Sequence, residues 1–140
     1  MLSVFVKRAL SRAHYSFANS KGNTVDHLSP SAPVLLDSAH LHRYTGGDAG
    51  LEVELYALLR GQIRSTLDAL EKAGDDEQLW RRLVHTLKGA ARGVGATALG
   101  EACAAAENRP LDPEALSEVR QVADSTVTAI EEALRERQAA

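Results

Sequence analysis

The chain has 140 residues, is rich in alanine, leucine and charged side chains, and carries a formal net charge of -3. That length supports one modest hydrophobic core, and scarce aromatics with few β-branched runs favour helices packed on helices over a sheet. The mildly acidic balance argues against a nucleic-acid partner, which calls for a strongly basic domain. Cys103 is the only cysteine, which excludes an intrachain disulfide and a cysteine-rich metal site. No apolar run approaches the ~20 residues of a membrane span, so a cytoplasmic protein with no membrane partner is expected.

Residues 1–33 read as a poorly ordered tail, and 34–140 as the folded domain. No acidic residue precedes Asp26, whereas Lys7, Arg8, Arg12 and Lys21 are all basic. A secretory or transit leader is disfavoured because the apolar run Leu2 to Val6 is short and broken by serine. Ser29-Pro30-Ser31-Ala32-Pro33 closes the tail, since each proline disfavours helix in the residue before it.

A weak first helix is expected over Leu35 to Tyr44, ended by Gly46-Gly47. Asp48 is a suitable N-cap for a long helix over Ala49 to Ala73. There Leu55, Leu59, Ile63, Thr66 and Leu70 recur at helical spacing, widened by Leu51, Leu58 and Leu67. Gly74 stops it, and Asp75 or Asp76 caps a third helix that runs to about Arg92, where Gly93 and Gly95 interrupt it. A fourth helix over Thr97 to Glu107 buries Leu99, Ala102, Cys103 and Ala106. Asn108-Arg109-Pro110 breaks the chain, and Asp112-Pro113 opens a fifth helix with proline in its first position. Leu116, Val119, Ala123, Val127, Ile130 and Leu134 form its stripe. The pattern predicts an all-α fold, an antiparallel four-helix bundle with a short extra N-terminal helix.

The third helix carries the chemistry. At about 100° per residue, Trp80, Leu83, Val84, Leu87, Ala91 and Val94 share one face, which is the core stripe. His85 falls almost opposite, with Arg81, Lys88 and Arg92 on its side. Gly89 lies four residues beyond His85. A mid-helix glycine costs about 1 kcal/mol relative to alanine and therefore usually has a reason. Helical side chains lean toward the N-terminus, so the missing side chain at 89 clears space beside the imidazole. An imidazole has a large neutral fraction near pH 7, as a nucleophilic nitrogen requires, and Lys88 can offer its ammonium to phosphoryl oxygens. An isolated surface histidine is usually inert, so the decision falls to its sequence context.

His85-Thr86-Leu87-Lys88-Gly89 followed by Gly95 reads H-T-L-K-G-x5-G, which resembles the signature of histidine-containing phosphotransfer (HPt) domains of two-component phosphorelays. Leu41 to Asp48 resembles that family's entry helix and turn, and Glu54 to Leu70 its long second helix, so the likeness covers about Leu35 to Leu134. The resemblance implies that His85 is phosphorylated, that Lys88 steadies the phosphoryl group, and that Gly89 gives clearance. Gly95 matches the glycine that turns the chain into the next helix. Many members place a glutamine twenty-two positions after the histidine, bonded to the imidazole; here that position is Glu107. A carboxylate there can accept from the imidazole's other N–H and fix its tautomer, and it would also repel an added phosphoryl group. Arg92-Gly93 replaces small polar residues common in the family and moves a further cation toward the site. Arg81, Arg82, Arg92 and Glu107 are the expected docking residues.

By the same resemblance the chain is a phosphocarrier without independent turnover. It takes phosphate from a receiver-domain aspartate and gives it to another receiver. Its partners are response-regulator receivers and a hybrid histidine kinase, and a monomer is expected. The chain needs no cofactor, since magnesium is expected on the receiver. Nothing resembles a nucleotide-binding loop. The alternatives are an adaptor or antagonist that binds receivers without carrying phosphate, and a structural bundle with an incidental histidine. His40 and His42 face roughly 200° apart on a helix and cannot chelate one metal in the i, i+4 manner. His14 and His27 carry no partner pattern.

Overall fold

The structure is a computed structural model that describes residues 33–139. The expected tail, with His14 and His27, lies outside the described residues except for Pro33. Five helices follow in order: α1 (Ser38–Thr45), α2 (Ala49–Glu71), α3 (Glu77–Val94), α4 (Thr97–Glu107) and α5 (Pro113–Ala139). Among the described residues there is no strand, and no helix is long and apolar enough to cross a membrane.

Helices α2 to α5 close into a ring in which α2 packs on α3 and α5, and α4 packs on α3 and α5. The antiparallel run of α2 and α5 is marked along its length by the ion pairs Glu52–Arg137, Arg64–Glu131 and Glu71–Arg120. The short connections elsewhere force the same up-and-down order. Helix α1 lies across α2 and α3 as the extra element.

Aspartates begin the first three helices. The side chains of Asp37, Asp48 and Asp76 accept from the N–H groups of His40, Leu51 and Leu79, satisfying donors that a helix start leaves orphaned. Helix α4 has no side-chain cap. Its Ala98 N–H donates instead to the carbonyl of Val34 at 2.8 Å, and Asp37 N–H donates to Gly95 O at 2.9 Å. The segment entering α1 therefore caps α4 and clamps the α3–α4 turn.

Several boundaries and faces differ from expectation. Helix α1 starts at Ser38 rather than Leu35, because Asp37 takes the cap while Leu35 and Leu36 pack on the core ahead of it. Helix α2 ends at Glu71, two residues short of Ala73. Helix α3 continues through Gly93 to Val94, and only Gly95, with φ of 96°, ends it. On α2 the core face is turned toward Glu52, Tyr56, Leu59, Ile63 and Thr66, leaving Leu58 68 % exposed and Leu55 half-buried. On α5 the seam uses Ala115, Val122 and Thr126 alongside Val119, Ala123 and Ile130, while Leu116 and Val127 are half-buried.

The buried Glu52 ties the far end together. Its carboxylate accepts from Arg137 at 3.0 Å and from Thr45 at 3.0 Å. The hydrogen bond from Arg137 holds its pKa below the ordinary carboxylate value, against partial desolvation. Arg137 also lies over the Tyr56 ring, 5.2 Å from its centroid.

Leu87 is fully buried in the bundle centre, whereas Leu58 is 68 % exposed. Leu87→Ala should therefore cost about 2–5 kcal/mol by cavity formation, and Leu58→Ala should stay within about 0.5 kcal/mol. Urea unfolding measures both, and equal losses would contradict this placement of the core.

Candidate functional site

The imidazole of His85 projects from the solvent face of α3, with 71 % of its side chain exposed. Trp80, Val84, Leu87 and Ala91 on the opposite face are buried, as the helical spacing predicts. A histidine placed this way is held by a rigid helix, and its direction depends on what the ring touches.

It touches Glu107, the last residue of α4. His85 Nδ1 is 2.7 Å from Glu107 Oε2, and Lys88 Nζ donates to Glu107 Oε1 at 2.8 Å. One carboxylate therefore bridges the imidazole and the ammonium. Partial burial by itself would raise the pKa of Glu107, but the hydrogen bonds from Lys88 and His85 outweigh it and hold the carboxyl below its ordinary value. An ionised carboxylate has no proton to give, so Nδ1 is the donor in this bond. In the neutral ring Nε2 then carries the free lone pair, on the side away from Glu107.

The α3–α4 crossing that makes this possible is fixed at both ends. Trp80 Nε1 donates to Ala106 O at 3.2 Å, and Arg81 donates to Glu107 O at 3.1 Å. At the other end the turn Gly95-Ala96 reverses the chain in two residues. Gly95 has φ of 96°, and a Cβ there would lie 2.9 Å from Asp37 O, so both conformation and space require glycine.

The sequence-predicted residues separate into two groups. Arg81, Arg82, His85 and Glu107, joined by Asn108, line an open crevice of about 420 Å³. Lys88 lies just behind it, with only 18 % of its side chain exposed, held by Glu107. Arg92 is not part of that crevice. Its aliphatic stem crosses Gly100 of α4, where a Cβ would meet Arg92 Cγ at 2.8 Å. Sequence reasoning missed Asn108, which has no motif of its own, and Gly100, whose place inside a helical stretch was a readable sign of close approach.

His40 and His42 serve α1. His40 Nε2 lies 3.2 Å from Gly93 O, to which it donates, and His42 Nδ1 lies 3.4 Å from Glu52 Oε2. Cys103 is buried in the core, and burial pushes its thiol up to about 12. Among the described residues no group of three or more His, Cys, Asp or Glu could hold a metal ion.

The Hpt domain family profile matches residues 54–139, which contain α3, α4 and α5 whole and most of α2. No curated protein and no solved structure matches the chain.

Gly89 is exposed, and a Cβ added there meets nothing within 4 Å. No neighbouring helix demands this glycine. Gly89→Leu should therefore keep or raise stability, by about 0.5–1 kcal/mol from helix propensity alone. Thermal melts followed by circular dichroism check this, and a fall in melting temperature would mean that position 89 is a packing site.

Proposed function

The chain belongs to the Hpt domain family, whose members carry phosphoryl groups in two-component signalling, and we propose that it is a cytoplasmic, monomeric phosphocarrier with His85 as the accepting residue. The observation that carries this reading is the bond from His85 Nδ1–H to Glu107, which leaves Nε2 as an exposed lone pair on a rigid helix.

In the proposed reaction Nε2 attacks the phosphorus of a receiver's aspartyl phosphate in line with the breaking P–O bond. The aspartate carboxylate leaves with that electron pair, and a P–N bond forms on His85. A second receiver's aspartate reverses these steps. A hybrid histidine kinase supplies the first phosphoryl group through its receiver. The receivers bring the magnesium ion that neutralises phosphoryl charge. The chain itself contributes a placed nucleophile, the Lys88 ammonium and a docking face around Arg81, Arg82 and Glu107, with Arg92 extending the cationic surface one turn further along α3. Lys88 sits within reach of both roles, since its ammonium already rests against the carboxylate that holds His85. The open space at Gly89 leaves the approach to the ring clear.

Incubation with a phosphorylated receiver should give acid-labile, base-stable phosphate on the chain. His85→Gln should abolish it while changing stability by no more than about 0.5 kcal/mol, as for other exposed positions. Phosphate retained in that variant would move the site elsewhere. Receiver binding with no phosphate on the parent chain would favour the adaptor reading.

Lys88→Ala should slow transfer by about 10²-fold, the scale of losing one aimed donor, while receiver binding persists. Rapid-quench transfer rates equal to the parent's would reduce Lys88 to a structural partner of Glu107. In the stable Gly89→Leu protein the leucine leans back over His85, and transfer should be lost although the fold is kept.

A further inference from the structure

We propose that Glu107 keeps the Nδ1 proton on the phosphorylated imidazole, so that His85 remains a good phosphoryl donor at pH values where an ordinary phosphoimidazole would lose that proton. The inference rests on the phosphocarrier reading above and concerns the second half of the reaction, when the histidine gives up its phosphoryl group.

The electron balance sets the requirement. When neutral His85 attacks through Nε2, the P–N bond uses the Nε2 lone pair, the Nδ1–H stays, and the ring becomes an imidazolium. In onward transfer the P–N bond breaks and its pair returns to Nε2. With Nδ1 protonated, the leaving group is a neutral imidazole. With Nδ1 deprotonated, the leaving group would be an imidazolate, a far stronger base and a far poorer leaving group. The proton on Nδ1 thus decides whether stored phosphate can be released.

Glu107 is placed on that proton. Its Oε2 lies 2.7 Å from Nδ1, and an ionised carboxylate is an acceptor only. It can pair with a protonated Nδ1, whereas against a deprotonated one it sets a lone pair on a lone pair. A glutamine amide behaves differently, because it can turn and offer either its oxygen or its NH₂. Glutamine therefore tolerates both states of the ring, and glutamate supports one. The groups facing Nδ1 are Glu107 and the neutral Asn108 from the α4 end, and Lys88, Arg81 and Arg82 from α3. Of the cations, Lys88 is bound to the other oxygen of the same carboxylate at 2.8 Å, and Arg81 donates to the Glu107 carbonyl. The phosphorylated imidazolium would lie between two anions, the carboxylate on Nδ1 and the phosphoryl group on Nε2. Glu107 is thus a positioning residue that acts on the phosphoryl group only through the ring.

The full chain, labelled with 15N-histidine, is phosphorylated with phosphoramidate. Ring nitrogen signals and the rate of phosphate release are then followed from about pH 6 to pH 9, across the range in which imidazoles titrate. In the parent chain Nδ1 should stay protonated and the release rate should change little. In Glu107→Gln, release should slow by about tenfold per pH unit once the ring deprotonates. Coincident profiles for parent and Glu107→Gln, both slowing through the ordinary imidazole range, would overturn the proposal while leaving the carrier reading intact. If Glu107→Gln does not fold, the nitrogen signals of the parent chain decide alone, and loss of the Nδ1 proton by about pH 8 overturns it. Absence of phosphate on His85 in the parent chain would remove the carrier reading itself, and this proposal with it.

Discussion

Everything at the site depends on how closely α4 can lie against α3. Helix α4 buries Ala98, Leu99, Gly100, Ala102, Cys103 and Ala106, so apart from one leucine its inner surface is made of small side chains. Small residues let two backbones approach and let side chains from one helix cross the other. Trp80 then reaches Ala106 O and the Arg92 stem fits over Gly100. The close crossing brings Glu107 within hydrogen-bond reach of His85 and Lys88. A bulkier α4 would hold the same residues too far apart for one carboxylate to bridge them. Cys103 belongs to this packing; burial keeps its thiol protonated, and nothing about it calls for reactivity.

The ion pairs at the site are matters of orientation more than of stability. Pairs involving exposed side chains contribute about 0–1 kcal/mol, and most of the His85 side chain is open to solvent. What the Glu107 bond supplies is a direction for the ring and a choice of tautomer. Such a bond is useful only if its own position is fixed. That is achieved by the Trp80 and Arg81 contacts at one end of the crossing and by the Val34 and Asp37 backbone bonds at the Gly95 turn. Short element α1 and the extended segment before it therefore support the site from a distance. His40, whose spacing from His42 does not suit a shared metal, helps to fasten that segment by donating to Gly93 O.

Much of this was legible in the sequence, and the failures have physical causes. The core face of α3 could be read because Trp80, Leu83, Val84, Leu87, Ala91 and Val94 recur at helical spacing on a helix otherwise rich in charge, with Leu83 and Val94 half-buried at its margin. The extent of α4 was equally clear between Gly95 and Asn108-Arg109-Pro110. Helix α2 was harder, since leucines occur on several sides; tertiary packing chose Tyr56 over Leu58 as its core residue, and no count of apolar positions distinguishes the two. Gly93 looked like a stop signal, but glycine ends a helix only where the backbone turns left-handed, which happens at Gly95. The hydrogen bond between Glu107 and His85 could be anticipated from spacing and resemblance. The simultaneous bond to Lys88 could not, because it depends on how far α3 and α4 overlap.

The cationic character of the site is a local arrangement within a net acidic chain. Arg81, Arg82, Lys88 and Arg92 all belong to α3, and the facing end of α4 contributes the single carboxylate of Glu107. That carboxylate engages Lys88 and His85. Arg82 and Arg92 occupy exposed positions on the same helix. A field built this way acts over roughly a Debye length, about 8–10 Å at physiological salt. It is felt by a partner docking on α3 and hardly at all on the α2–α5 side, where acidic and basic residues alternate in pairs. For a protein proposed to meet successive receivers, each presenting a phosphorylatable aspartate, that asymmetry is the relevant electrostatic quantity. It comes from placing like charges on one helix and cancelling them elsewhere, so the overall charge of -3 gives no hint of it.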